Sequence, residues 1–477
     1  MKSREYEFIV VGSGAGGATV AKELAKRGKR VLVLEQGKRE EKIGGVMNSL
    51  RYYDHHQVTM WPKASKEGTI IYRAIMAGGS TMVSFANGVR CSEEHLAAFG
   101  INLDAEFSEA EKEMGIAPMN IKWLSKGSRK ILEASRELGY KMEPMPKFVR
   151  YNKCRRCGMC HLGCPYGAKW TSLDYLDEAI SQGADIMYET VVEGVLLENG
   201  RAIGVRGKAK GDVRGKARGN GRGSGLKGQV EIFSDAVILA AGGLATPVIL
   251  QKTGLEEAGT NLFGDLLMNT YGVTRDLGQL HEPLMALVDT EFHKNKGFIL
   301  STYIQPVRLH RFVEAGVRGA LLPANRTLGI MTKSADDQTG RVYPDGSYSK
   351  VVTENDRARL KEGSEIAKEI LIRAGVDKNS IVVGTPVGAH PGGTAAIGKI
   401  VNSDLKTEID NLFVCDASVF PRSLGAPPIL TIAALAKRLA KTLVSECNPC
   451  MERNPGAEIG SQYPVTSQRK PAAKQER

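Results

Sequence analysis

The segment FIVVGSGAGG, residues 8–17, constrains the fold more than any other part of the chain. Four apolar residues lead directly into three glycines spaced as Gly12-x-Gly14-x-x-Gly17, and an apolar helical pattern follows from Ala18. A buried strand that ends in such a turn and opens a helix is typical of a dinucleotide-binding βαβ unit. The spacing predicts that Gly12 makes the tight turn, Gly14 admits a pyrophosphate, and Gly17 lets helix and strand pack closely.

Glu35 completes this unit at the end of a second apolar strand, Val31–Leu34. A carboxylate in this place can accept hydrogen bonds from both ribose hydroxyls, and it disfavours a 2′-phosphate. The helix N-terminus faces the phosphates with free N–H groups and a positive dipole. The motif predicts a dinucleotide site, but it does not by itself separate FAD from NAD.

Length and composition favour several domains and no membrane span. The chain has 477 residues, 42% of them hydrophobic, which suffices for two or three domains. The best candidate for a span, residues 236–250, is too short for a bilayer and is interrupted by two glycines and a proline. The first apolar run enters the glycine turn and is not a signal peptide, so a cytoplasmic location is expected.

Much of the formal net charge of +12 comes from residues 206–228, RGKAKGDVRGKARGNGRGSGLKG. This composition cannot bury a core, so the segment is predicted to be a flexible basic loop. An alternative function is binding of nucleic acid or another acidic partner. Nucleic acid is the less favoured partner because no aromatic residues are interleaved for base stacking. The polar tail, residues 453–477, is predicted to be disordered.

Several blocks of the chain, in family order, resemble the glucose–methanol–choline flavin oxidoreductases. They are VVGSGAGGATVAKELA with VLVLEQG, AGGSTMVSFANGVR, VILAAGGLATPVIL, AHPGGTAAIG, and NLFVCDASVFP followed by PPILTIAALAKRLA. The resemblance implies an α/β fold, with a discontinuous Rossmann-like FAD-binding domain at 1–265 and 386–450. It also implies an inserted α+β substrate domain at 266–385 on an antiparallel sheet. The alternating segment GFILSTYIQPV suits such a sheet.

By this resemblance the cofactor is FAD, and particular residues lie near its parts. Gly12, Gly14, Gly17 and Glu35 would hold the ADP half. Residues 77–90, here called the second flavin loop, would approach the isoalloxazine. The remaining assignments are Gly78, Gly79, Ser80 and Asn87 near the isoalloxazine and pyrophosphate, Val192 near the adenine, and Asp416 and Ala417 near the ribityl chain and pyrophosphate.

His390 corresponds to the active-site histidine of that family. It precedes Pro-Gly-Gly-Thr in a glycine-rich turn, and its ordinary pKa suits proton abstraction near neutral pH. The alternative is a histidine in a surface loop. The family also places a His or Asn just before the closing helix, whereas this chain has Pro427 and Pro428. The pair of polar side chains that usually handles the substrate hydroxyl is therefore incomplete.

Cys154, Cys157, Cys160 and Cys164 follow the spacing C-x2-C-x2-C-x3-C, and a proline comes next. Bacterial ferredoxins use this ligand run, so residues 150–170, here called the cysteine loop, are predicted to bind a 4Fe–4S cluster. In two-cluster ferredoxins the fourth cysteine binds the other cluster, so a 3Fe–4S cluster with three cysteine ligands is an alternative. A structural zinc site and a metal-free loop are further alternatives. Other candidates for a fourth thiolate are Cys91, Cys415, Cys447 and Cys450.

Together these features predict an FAD-dependent dehydrogenase that acts on a CH–OH group of a small molecule. His390 would take the hydroxyl proton, and the cluster would pass electrons to a non-oxygen acceptor, such as a protein carrier or a partner subunit. The alternative is a reductase or an electron-transfer subunit in which the cluster feeds the flavin. A nucleic-acid-binding protein that uses the basic loop is a rival from another class.

Overall fold

The computed structural model describes residues 5–55, 62–91, 93–210, 213–214 and 228–447. Among these residues, no helix is both long enough and apolar enough to cross a membrane. The helices are α1 (Ala15–Ala25), α2 (Val46–Ser49), α3 (Glu93–Ala97), α4 (Asp104–Met114), α5 (Lys126–Glu137), α6 (Ser172–Ser181), α7 (Thr246–Lys252), α8 (Glu291–Lys296), α9 (Arg308–Leu321), α10 (Glu354–Arg373) and α11 (Ile429–Cys447).

The strands belong to two large sheets and two small ones. They are β1 (Tyr6–Val11), β2 (Val31–Leu34), β3 (Ala117–Pro118), β4 (Glu143–Pro144), β5 (Pro146–Lys147), β6 (Asp185–Met187), β7 (Thr190–Glu198), β8 (Arg201–Ala209), β9 (Val213–Arg214), β10 (Gly228–Leu239), β11 (Leu266–Val273), β12 (Leu287–Asp289), β13 (Phe298–Thr302), β14 (Thr327–Ser334), β15 (Arg341–Val342), β16 (Tyr348–Ser349), β17 (Val382–Val383), β18 (Val387–Gly388) and β19 (Leu412–Val414).

The first sheet carries the glycine turn on a parallel core. Its five parallel strands lie in the order β6-β2-β1-β10-β19, which in chain order reads 3-2-1-4-5. All of β2 and nearly all of β1 is buried and apolar, as parallel strands must be when helices cover the sheet. In such sheets a ligand binds beyond the carboxyl ends of the strands where the order reverses. Here that point lies between β1 and β10.

The long strand β10 joins this parallel core to a hairpin. Its first half pairs antiparallel with β8, and its last residues pair with β1 and β19. Because β19 comes from near the C-terminus, one sheet combines the two ends of the described chain. The domain bounds 1–265, 266–385 and 386–450 stay a prediction.

The second sheet is antiparallel, in the order β17-β11-β14-β13-β12-β4, with β18 beside β11. Helix α10 lies across it and begins with a capping box made by Thr353 and Asp356. Leu360 on this helix is buried, and Ala367, Ile370 and Leu371 join the hydrophobic core under the sheet. The predicted fold class is therefore confirmed: a Rossmann-like α/β unit with a second part on an antiparallel sheet.

The predicted basic loop overlaps this secondary structure at both ends. β8 extends to Ala209 and β10 begins at Gly228, and these two residues pair with each other. Residues 206–209 therefore belong to a strand, because buried small residues alternate there with exposed basic ones. The remainder at 211–212 and 215–227, like the tail 453–477, lies outside the described residues.

Replacing residues 215–227 by a short Gly-Ser turn, which keeps β9 (Val213–Arg214) paired with β6, should leave FAD content, solubility and melting temperature nearly unchanged. The reason is that Ala209 and Gly228 are already paired, so a short turn can close the hairpin. Flavin absorbance and a thermal melt measure the result. Loss of flavin would instead show that the removed segment supports the fold. Salt-dependent nucleic-acid binding that disappears with the segment would favour the rival class.

Candidate active site

The glycine turn after β1 contains one glycine that borders open space. A Cβ added at Gly12 would lie 2.3 Å from the Ala240 carbonyl oxygen, and one at Gly17 would lie 1.9 Å from the Gly12 carbonyl oxygen. A Cβ at Gly14, whose φ is −68°, meets no atom within 4 Å. Gly12 and Gly17 are therefore required by packing, whereas Gly14 leaves room beside the helix N-terminus, which fits a pyrophosphate group.

Glu35 connects this turn to the second flavin loop. Its Oε2 accepts hydrogen bonds from the N–H and hydroxyl of Ser13, at 2.9 and 2.6 Å, and its Oε1 accepts from the Gly37 N–H at 2.7 Å. The Ser13 hydroxyl oxygen accepts in turn from the Gly78 N–H at 2.9 Å. Burial raises the pKa of Glu35. The carboxyl group of Glu35 therefore connects the glycine turn to Gly37 and, through Ser13, to the second flavin loop, a role of Ser13 and Glu35 that the sequence did not predict. Contact of Glu35 with a ribose stays a prediction.

The second flavin loop lies against the glycine turn. Gly78 and Gly79 both have positive φ, and a Cβ at Gly79 would come within 3.2 Å of the Gly14 Cα. Ser80 uses its hydroxyl oxygen to accept from the Ala74 N–H at 3.1 Å. The structure thus brings three of the four predicted loop residues to the same place as Gly14. Asn87, the fourth, is buried further along the loop.

Asp416 performs a similar task after β19. Its Oδ2 accepts from the Gly242 N–H at 2.8 Å and the Thr246 hydroxyl at 2.5 Å, and its Oδ1 accepts from the Ser418 N–H at 2.8 Å. The next residue, Ala417, accepts with its carbonyl oxygen from the Gly393 N–H at 3.2 Å. Residues 411–421 and 427–440 are here called the closing block. The closing block and the His-Pro-Gly-Gly-Thr segment therefore meet beside the carboxyl end of β10.

Val192 lies on β7 near the same edge. It is two residues beyond Thr190, whose N–H donates to the Glu35 carbonyl oxygen at 2.9 Å. Its side chain is mostly buried. Val192 is therefore two residues along the strand from a residue that contacts Glu35. Contact of Val192 with an adenine stays a prediction.

His390 lies beside two charged residues of the antiparallel sheet. Its Nδ1 is 2.7 Å from the Lys333 Nζ and 3.2 Å from the Asp265 Oδ2, and Lys333 and Asp265 form an ion pair of 3.2 Å. Burial and the Lys333 charge lower the pKa of His390 to about 4. The imidazole is therefore neutral near pH 7. Its side chain is 28% exposed, so one edge of the ring faces open space.

Lys333 and Asp265 were not predicted from the sequence. Lys333 is the one charged residue in β14, TLGIMTKS, and every residue of that strand is buried. A single lysine in an otherwise uncharged segment was the signal that the sequence offered. Asp265 immediately precedes β11 and carries no motif. Pro427, at the expected place of the second polar residue, is buried and brings no polar side chain to the site.

The cysteine loop gathers its four thiols around one cavity. Cys154, Cys157, Cys160 and Cys164 all line one solvent-open cavity. The Cys154 Sγ accepts from the Arg156 N–H, and the Cys164 Sγ accepts from the Ala168 N–H, both at 3.4 Å. In the described chain no three His, Cys, Asp or Glu side chains are arranged to hold a metal ion. Iron–sulfur binding therefore stays a prediction.

The other cysteines lie elsewhere or outside the described side chains. Cys91 is buried beside Thr431, with its Sγ 3.2 Å from that hydroxyl, and does not line the cavity. Cys415 is also buried, and its carbonyl oxygen would be 1.7 Å from a Cβ on Gly16. The structure does not describe Cys450 or the side chain of Cys447. Neither Cys91 nor Cys415 is placed to act as the fourth ligand.

Two buried lysines donate to the second flavin loop, and one of them, Lys169, also donates to the cysteine loop. The Lys147 Nζ donates to the Asn87 Oδ1 at 2.6 Å and to the carbonyl oxygens of Phe85 and Leu284 at 2.9 and 2.7 Å. Lys169, which lines the cysteine cavity, donates to the carbonyl oxygens of Ser84 and Cys160 at 2.6 and 2.9 Å. Residues 84–87 of the second flavin loop thus contact both lysines, and through Lys169 they are connected to the cysteine cavity.

Gly14→Val should reduce bound FAD strongly while the apoprotein keeps its melting temperature. The added side chain enters the space that we assign to the pyrophosphate and meets no protein atom at its Cβ. Gly17→Ala is the matched control, since its Cβ overlaps the Gly12 carbonyl and should destabilise the fold by at least about 1–3 kcal/mol. Apoprotein melts and flavin release on denaturation distinguish the two. Full FAD content in Gly14→Val would contradict the assignment.

Comparison with known proteins identifies relatives over most of the chain. A protein from Methanocaldococcus jannaschii described as uncharacterized is 29% identical over 92% of this chain and 100% of its own length. An uncharacterized GMC-type oxidoreductase of Mycobacterium tuberculosis is 27% identical over 92% of this chain and 76% of its own. A long-chain-alcohol oxidase of Arabidopsis thaliana is 24% identical over 92% and 68%.

Solved structures share the fold at low sequence identity. Pyridoxine 4-oxidase from Mesorbium loti has a TM-score of 0.68 at 16% identity, covering 92% of this chain and 99% of its own. A formate oxidase from Aspergillus oryzae has a TM-score of 0.68 at 15% identity, covering 94% and 100%.

Two family models match this chain, one in each half. The model of the N-terminal part, described as GMC oxidoreductase, matches residues 6–267, and that of the C-terminal part matches residues 326–436. The assignment of the glycine turn, the second flavin loop and the closing block to the FAD site stays a prediction, and the chain belongs to the GMC oxidoreductase family, whose cofactor is FAD.

Proposed function

We propose that this protein is an FAD-dependent dehydrogenase that oxidises a CH–OH group and sends the electrons through an iron–sulfur cluster to a non-oxygen acceptor. The observation that carries the proposal is the shared cavity of four cysteines, which the buried Lys169 connects to the second flavin loop. Bound FAD would supply hydride acceptance, and a cluster would supply one-electron transfer. The acceptor would be a protein electron carrier or a partner subunit in a reducing, cytoplasmic compartment.

His390 is the residue that would handle the hydroxyl proton. Its Nδ1 faces Lys333 and Asp265, so the Nε2 edge is the one left for a substrate. Because burial and the Lys333 charge keep the imidazole neutral, it does not need to lose a proton of its own before it acts. The residues of the second flavin loop and the closing block would hold the flavin near this edge.

The cysteine loop has features that suit an anionic cluster. Cys154, Cys157, Cys160 and Cys164 would be the ligands, and hydrogen bonds from N–H groups to their sulfurs help to set the potential of such clusters. Burial raises the pKa of the Cys154 and Cys157 thiols, so a bound cation is needed to hold them as thiolates. The buried amino group of Lys169 lies on the same cavity and donates to the Cys160 carbonyl oxygen at 2.9 Å.

One observation favours a second candidate, a reductase or electron-transfer subunit in which the cluster feeds the flavin. The polar side chain that the family places before the closing helix is replaced by Pro427 and Pro428. An enzyme that receives electrons from a partner has less need of a complete hydroxyl-binding pair. The direction of electron flow decides between the two candidates.

A substrate search should cover the alcohols named for its relatives. Long-chain alcohols and pyridoxine are sensible members of a panel because proteins with those names resemble this chain. Anaerobic bleaching of the flavin detects a substrate, and oxygen uptake separates an oxidase from a dehydrogenase. Bleaching only by an external electron donor would favour the second candidate.

His390→Ala should lower the rate of substrate-driven flavin bleaching by about 10²–10⁴-fold while FAD stays bound, because a base at the hydroxyl contributes this much. Stopped-flow spectra measure the rate. His281→Asn is the control, since His281 is exposed and has a positive φ that Asn tolerates. An unchanged rate in His390→Ala would remove the histidine from the mechanism.

Anaerobically purified protein should contain about four iron and four sulfide per chain, by the ligand count of such runs. Cys157→Ser should lose the iron, keep FAD and keep substrate-driven bleaching, while electron transfer to an external one-electron acceptor stops. Cys91→Ser is the matched control, because Cys91 lies outside the cavity. Zinc, or no metal, in anaerobically prepared protein would refute the electron relay.

A further inference from the structure

The interaction between Lys333 and His390 has a chemical consequence for the histidine. Lys333 lies in β14, paired to β11 and β13, and its side chain is only 2% exposed. Its Nζ reaches the Nδ1 of His390 at 2.7 Å, closer than its approach to the Asp265 carboxylate at 3.2 Å. The amino group therefore lies behind the imidazole, on the side away from the open edge.

Asp265 is anchored so that only one of its oxygens faces this pair. Its Oδ1 accepts from the Ser423 hydroxyl at 2.8 Å and from the N–H groups of Leu424 and Gly425 at 3.0 and 2.9 Å. Its Oδ2 is left for Lys333 and His390. Burial alone would raise the pKa of Asp265, but the Lys333 charge and the His390 hydrogen bond hold it well below its ordinary value. Asp265 is therefore a fixed anion.

The charge state of Lys333 decides which edge of the imidazole carries the ring proton. Nδ1 has two possible partners, and the Lys333 Nζ at 2.7 Å is nearer than the Asp265 Oδ2 at 3.2 Å. An ammonium group only donates hydrogen bonds, so a charged Lys333 at the shorter distance makes Nδ1 the acceptor and puts the ring proton on Nε2. A neutral amine can accept from an Nδ1–H, and Nε2 then has a free lone pair. In the first case His390 donates to a substrate oxygen, and in the second it can take a proton from it.

We propose that Lys333 is the positioning residue that stores the catalytic proton behind His390, in place of the polar side chain missing at Pro427. This inference rests on the role of His390 in the proposed function. As the substrate C–H and O–H bonds break and its C=O bond forms, the hydride leaves for bound FAD and the hydroxyl proton goes to Nε2. The Nδ1 proton passes to the Lys333 Nζ, which becomes an ammonium group paired with Asp265. Loss of the Nε2 proton to solvent and return of the Lys333 proton to Nδ1 restore the resting state.

The surroundings of Lys333 suit a group that gains and loses a proton. The charged or titratable groups that face it are Asp265, His390, Cys91 and Asp336. Burial lowers the pKa of Lys333 and so favours the neutral amine, while the Asp265 and Asp336 carboxylates stabilise the ammonium form. Oxidation needs the neutral amine at the start, so its rate should rise with pH as Lys333 deprotonates.

Lys350 provides an internal control for a buried lysine that only balances charge. Its Nζ is 2.8 Å from the Asp336 Oδ2, and both side chains are completely buried. The Ser423 hydroxyl contacts Asp336 and Asp265 equally, at 2.8 Å. The Lys350 amino group also donates to the Asp337 carbonyl oxygen but makes no contact with His390. The two lysines share burial and an acidic partner and differ in their contact with the imidazole.

The test compares Lys333→Met, Lys333→Arg and Lys350→Met with the wild-type holoenzyme. The pH profile of flavin bleaching is measured with an alcohol that bleaches the wild-type enzyme. Lys333→Met should lower the rate by about 10²-fold and abolish its rise with pH. Lys333→Arg should not restore it, because a guanidinium is always charged and keeps the ring proton on Nε2. Lys350→Met should lose stability and keep the wild-type shape of the profile.

The possible outcomes distinguish a failure of this inference about Lys333 from a failure of the proposed function of His390. Rescue by Lys333→Arg, or an unchanged pH profile in Lys333→Met, would show that Lys333 only balances charge, even if His390→Ala is inactive. A fully active His390→Ala would overturn the role of the histidine as well. If the Lys333 variants do not fold, carbethoxylation of His390 in the wild-type holoenzyme gives a second measurement. The rate of carbethoxylation is followed by peptide mass spectrometry. It should keep rising at pH values well above the pKa of the imidazole, because deprotonation of Lys333 frees the Nε2 lone pair. A rate that stays constant above that pKa would refute the proposal.

Discussion

Buried carboxylates must be satisfied by hydrogen bonds, and three of them hold the loops of this site together. Glu35, Asp416 and Asp265 each accept from backbone N–H groups of nearby turns. Glu35 connects the glycine turn through Ser13 to the second flavin loop, and Asp416 connects the loop after β10 to the closing block. Asp265 connects the start of the antiparallel sheet to residues 423–425. Segments far apart in sequence therefore converge because each carboxylate needs donors from another segment.

The sequence predicted the parts of the fold that follow from a strict local pattern. The apolar run before Gly12 and the spacing of the three glycines allow few arrangements other than strand, turn and helix. The antiparallel sheet followed from alternation in segments such as residues 297–307. The prediction was wrong for residues 206–209, the N-terminal end of the predicted basic loop. These residues form part of a strand in which buried small residues alternate with exposed basic ones, and their charge made this alternation hard to recognise.

The candidate site was predictable where a motif marks it and not where the chain only folds onto it. His390 stands in a recognisable segment, whereas Lys333 and Asp265 lie within and just before ordinary-looking strands. Their meeting depends on the pairing of β11 with β14 and on the path of the chain after β18. Lys147 and Lys169 were missed for the same reason. No pattern along one segment reports the partner that another segment will bring.

The arrangement around Lys333 also limits how the sequence of this protein can change over generations. Removing one partner of a buried ion pair costs about 3–5 kcal/mol, because the other charge is left without compensation. Loss of Lys333 alone would leave the buried Asp265 carboxylate without its cation. Loss of Asp265 would leave Lys333 without its anion and would remove the hydrogen bonds that hold the loop of Ser423. Drift at either position is therefore blocked unless both change together. The two residues should be inherited as a unit, and lineages that regain a polar side chain at position 427 are those in which the pair is free to disappear.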